Sequence, residues 1–162
     1  MFQTIHRLGK RAAMWLLLLA GLSATAHAQA AKPASALGTW KGESICQDKN
    51  RPACKNEIVV YRMEAVPGKP DRITWLADKI LDGERVPMGK LEFQYDAAKG
   101  TLFCDFRVGQ THGIWEFQIA GDSLSGRLLI LPEKTLGRLV KAERVDPAKL
   151  PAAPDRKLYD NQ

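Results

Sequence analysis

Rhythm limits this chain more than any other property. Eight short runs alternate apolar and polar residues, and turn-forming residues cut each one off before a helix could develop. The runs fall at 37–45, 56–65, 72–81, 89–95, 101–108, 112–120, 123–131 and 136–145. Between them lie "PGKPD", "DG", "DAAKG", "GQT", "GD" and "PEK". Glycine, proline and aspartate supply the backbone angles that tight reversals demand. No segment sustains a 3.6-residue apolar period, so little helix is expected. Short connections favour antiparallel pairing of sequence neighbours, and a meander of eight strands removes its exposed edges by closing on itself. The expected fold is all-β, an eight-stranded antiparallel up-and-down barrel over 37–145. A two-sheet sandwich of the same strands is the alternative.

Period-two alternation also assigns faces. The inward set is Trp40, Gly42 and Ser44; Val59, Tyr61 and Met63; Ile73, Trp75 and Ala77; Leu91, Phe93 and Tyr95. The second half adds Leu102, Cys104 and Phe106; Trp115, Phe117 and Ile119; Leu124, Leu128 and Ile130; Val140 and Ala142. Arg62, Glu64, Glu92, Gln94, Asp105, Arg107, Glu116, Gln118 and Arg127 occupy the opposite faces. Small residues at Gly42, Ser44 and Ala77 leave room inside such a barrel for a ligand.

Gly38-Thr39-Trp40, a Gly-x-Trp on the first strand of an up-and-down barrel, resembles the opening of the lipocalin and avidin-like (calycin) superfamily. The resemblance covers 37–145 as architecture, and "RPACKNEIVVYR" and "ADKILDGERVPMGKLEF" look like parts of exported bacterial proteins with such a barrel. It implies that Trp40 closes one barrel end beneath a basic residue of the last strand. Arg138, Lys141 and Arg144 are the candidates, and Gly38, Trp40 and Arg138 form the closure set taken forward. "KGESIC" does not reproduce the polar residues with which avidin-like proteins grip biotin. "GTWKGE" is similar to haem-binding barrels of the nitrobindin type, without a matching second half, so no known ligand carries over.

The two ends of the chain read differently. "HRLGKR", then "AAMWLLLLAGL", then "AHA" has the order of a cleaved signal peptide over 1–28. Its apolar run is shorter than the roughly 20 residues a spanning helix needs, so no membrane span is expected after cleavage. A periplasmic or secreted location follows. The precursor's net charge of +6 falls to +3 once Arg7, Lys10 and Arg11 leave. The remaining charges alternate in sign, and no basic stripe invites nucleic acid. The proline-rich 146–162 reads as a flexible, solvated tail, with a short docking helix around Asp155–Tyr159 as the alternative.

In an oxidising compartment cysteines pair. Cys46 and Cys54 flank the hydrophilic "QDKNRPA" and are the expected disulfide, while a bond from either to Cys104 stays open. His112 beside a turn reads as an exposed histidine, and a single axial haem ligand is its other use. Glu43 with Glu57 is the nearest carboxylate pair. No nucleophile elbow, phosphate loop or metal-type spacing occurs, so neither enzyme activity nor a cofactor is expected.

Two functions remain. The first is a small-molecule carrier whose pocket is lined by Ser44, Tyr61, Trp75, Phe93, Tyr95, Phe106, Trp115 and Phe117, an apolar wall with a few polar groups that suits an apolar or aromatic ligand. The second is an envelope protein-binding module with a filled core, such as an inhibitor of an exported lysozyme. It would use the Cys46–Cys54 loop or the rim segment 82–89.

Overall fold

A computed structural model describes residues 35–51 and 53–160. The expected leader therefore lies outside the described residues. Eight strands follow in order: β1 (Gly38–Cys46), β2 (Glu57–Val66), β3 (Lys69–Leu81), β4 (Glu84–Asp96), β5 (Thr101–Val108), β6 (Thr111–Ala120), β7 (Ser123–Ile130) and β8 (Thr135–Val145). Each pairs antiparallel with its neighbour, and β1 pairs with β8 from Thr39↔Val145 to Cys46↔Arg138, which closes the barrel. The up-and-down barrel is thus the fold, and the sandwich is not.

Closure depends on a glycine. A Cβ at Gly42 would stand 2.0 Å from the Lys141 carbonyl oxygen and 2.4 Å from the Ala142 Cα, so β1 approaches β8 more closely than any larger residue permits. The room expected at Gly42 for a ligand is thus occupied by β8 backbone. The reversal between β3 and β4 takes both Asp82 (φ 51°) and Gly83 (φ 85°) into the left-handed region, which suits the Asp-Gly pair there.

Two expectations fail at the edges of elements. The segment 84–88 is strand, because β3 and β4 run on past the mouth as one long hairpin. Pro87 and Gly89 interrupt the alternation that would have revealed it. A register shift between Ala77 and Asp78 absorbs the irregularity. Then β4 and β5 stay paired only from Gln94↔Phe103 to Asp96↔Thr101, whereas the ladders on either side continue. Beyond Phe93 and Cys104 the barrel wall is therefore split.

The interior buries Trp40, Val59, Tyr61, Met63, Ile73, Trp75, Phe93, Leu102, Phe117, Ile119, Leu124 and Val140, all members of the expected inward set. A second, smaller core sits on the outside. Val60, Leu76 and Asp78 alternate with inward residues and should face water, yet they are at most 1% exposed. The C-terminal segment covers them. After short 3₁₀ turns at Pro147–Lys149 and Arg156–Tyr159, Tyr159 is buried and donates its hydroxyl hydrogen to Asp78. Arg85 donates to the same carboxylate from Nε at 2.8 Å. Arg156 pairs with Glu64, and Lys90 with Asp160. Residues 146–160 are thus packed rather than solvated, in the manner of the docking alternative. Leaving a buried carboxylate without partners would be strongly unfavourable, which is why the strap and the carboxylate go together.

Candidate functional site

The two barrel ends are built differently. At one end Trp40 is fully buried and donates its indole N–H to the Ala36 carbonyl at 3.0 Å. The Arg144 guanidinium lies 4.3 Å from the centre of its ring. Arg144 also donates to the Leu37 and Ser35 carbonyls and pairs with Asp122 at 2.8 Å. The closing cation is therefore Arg144 and not Arg138. Both side chains point inward on β8, but Trp40 is opposite Arg144 in the ladder, while Arg138 is opposite Cys46 at the far end.

At that far end the interior opens into a cavity of about 480 Å³. Its deep wall is an aromatic cluster centred on Trp75, with Phe117 at 4.5 Å, Tyr61 at 4.6 Å and Phe93 at 4.7 Å between ring centres. Trp115 extends it by stacking on Phe117 at 5.2 Å. Gly126 makes room for this layer, since a Cβ there would come within 2.1 Å of the Phe117 ring. Met88, Leu91, Phe106 and Val108 line the side next to the split between β4 and β5.

The opposite wall, from β8, β1 and β2, is polar. Arg138 donates to the Ser44 hydroxyl at 2.9 Å and the Lys55 carbonyl at 3.2 Å, and pairs with Glu57 at 3.0 Å. Glu57 also meets Lys79 at 3.7 Å. Burial pushes the Tyr61 phenol above its ordinary range, with Arg138 pulling the other way, so Tyr61 is a neutral hydrogen-bonding group beside Ser44. Lys90 lines the cavity too, and holds the Asp160 carboxyl below its usual range.

Of the expected lining, Ser44, Tyr61, Trp75, Phe93, Phe106, Trp115 and Phe117 border this one space. Tyr95 does not: it pairs with Leu102 near the closed end. The alternation of faces places Tyr95 correctly inward but carries no information about height along the barrel. Glu57, Lys90 and Arg138 were missed as cavity residues. The signal for Arg138 was its even position on β8, in step with Val140 and Ala142.

Cys46 and Cys54 form the expected disulfide, with Cα atoms 5.7 Å apart. The bond ties the rim next to the polar wall, where the Asn56 side chain accepts from the Cys46 amide and Lys55 offers its carbonyl to Arg138. Cys104 is a buried free thiol, and burial pushes it up to about 11. His112 turns away from the interior and meets Asp105 at 2.8 Å, so it does not face the cavity. Glu43 lies opposite Lys141 on the outer face, and Glu57 on the inner one, so the two carboxylates do not converge.

Among the described residues no helix is long and apolar enough to cross a membrane. No protein-family model matches the sequence, and no curated protein matches it either.

Proposed function

We propose that this protein is an exported, lipocalin-like binder of a small apolar or aromatic molecule, and that it works by binding rather than by catalysis. One observation carries the reading: a closed barrel with an aromatic-walled cavity at one end and a plugged opposite end. The cavity's size falls in the range that accommodates small ligands, about 300–1,000 Å³. Export is supported by the leader-like order of residues 1–28 and by a disulfide of the kind that persists in oxidising compartments. The rival reading as an inhibitor needs a filled barrel, and the cavity counts against it.

The test uses N-phenyl-1-naphthylamine, a neutral aromatic probe whose emission rises in apolar surroundings. Saturable binding should quench the emission of Trp75 and Trp115, which line the cavity, and the Trp75→Phe, Trp115→Phe double variant should lose the quenching. A probe that neither saturates nor touches tryptophan emission would sink the proposal.

A further inference from the structure

The charges at the cavity's polar wall do not cancel. Arg138 and Lys79 share a single carboxylate, Glu57, at 3.0 Å and 3.7 Å, and neither makes another ion pair among the described residues. Lys90 is served separately by Asp160. One positive charge is thus left over where Arg138 is only 17% exposed and water screens it weakly. Directly across the barrel the wall is apolar, formed by Met88, Leu91 and Phe106 beside the split between β4 and β5.

From this we infer that the ligand is an amphiphile with one anionic headgroup, a monocarboxylate held by Arg138 with its apolar body along the aromatic wall. The inference rests on the cavity being a ligand site and adds the headgroup. A guanidinium matches a carboxylate in shape as well as charge. The Ser44 hydroxyl, 2.9 Å from Arg138, and the Tyr61 phenol beside it supply neutral donors to the same place. A cationic head would meet the surplus charge, and a dianion would exceed it. Glu57 competes with the ligand for Arg138, which gives the idea a sign that is hard to imitate.

Bound N-phenyl-1-naphthylamine is displaced by two matched pairs, decanoate against 1-decanol and 4-phenylbutyrate against 4-phenyl-1-butanol. Each acid should compete better than its alcohol by about tenfold or more, the scale of a charge-assisted hydrogen bond. Arg138→Met should erase that preference, and Glu57→Gln should widen it. Whichever pair competes better tells an alkyl acid from an aryl acid. Should Arg138→Met lose its near-ultraviolet circular dichroism, Glu57→Gln and the native protein in rising salt carry the test, and the preference must shrink with salt. Equal competition by acids and alcohols, or a Glu57→Gln variant with an unchanged preference, overturns the headgroup while leaving the cavity reading intact. Failure of the neutral probe to bind overturns both.

Discussion

Arg144 and Arg138 stand on the same strand and the same face of the barrel, yet they do different work. Arg144 meets an indole face, two backbone carbonyls and Asp122, so its donors and its charge are committed. Arg138 meets one hydroxyl, one loop carbonyl and a carboxylate that it shares with Lys79. The residue type is constant, and the neighbours decide. Where β1 brings a tryptophan and the turn preceding it, the guanidinium becomes a lid. Where the wall splits and the loops diverge, it borders a site.

The strongest way to break this comparison is to remove the plug. Trp40→Ala should cost about 3–5 kcal/mol by urea denaturation, whereas Trp115→Ala, half-buried at the cavity wall, should cost clearly less. Equal losses would mean that the two ends are equally structural. Next come the arginines themselves. Arg144→Met should destabilise by about 1–3 kcal/mol through lost charged hydrogen bonds. Arg138→Met should cost about 1 kcal/mol or less, since exposed ion pairs contribute little. A reversed order would assign the lid to the wrong residue.

How much of this was legible beforehand follows from what period-two alternation encodes. It separates inside from outside, so the core residues and most of the cavity wall could be read directly. Height along the barrel is a matter of register, and that is why Arg138 and Arg144 were interchangeable on paper and why Tyr95 was placed at the wrong level. The start of β4 hid behind Pro87 and Gly89. The strap hid for another reason: one aromatic, Tyr159, anchors it without any periodic partner. Its target, Asp78, reads as an ordinary outward carboxylate.

The smallest expected effect belongs to the band between the two ends, where Cys104 is buried. An unfolded thiol ionises near 9 and the folded one only near 11. Across that window the unfolded chain has released a proton that the native state retains, so stability falls as pH rises. The slope is at most about 1.4 kcal/mol per pH unit. Urea midpoints should decline from pH 9 to pH 11, less steeply in Cys104→Ala. An identical decline in both proteins would move the cause elsewhere.

The strap also has a bearing on the order in which the molecule is finished. Asp78 is made early in synthesis and Tyr159 some eighty residues later. Until that phenol arrives, the outer wall of β3 carries a carboxylate and two aliphatic side chains, Val60 and Leu76, that have no cover from the chain's end. A nascent barrel can close its eight strands and still present this sticky, charged patch to whatever surrounds it. The final step of maturation is therefore the sealing of an outer seam, accomplished by the segment that emerges after the barrel itself.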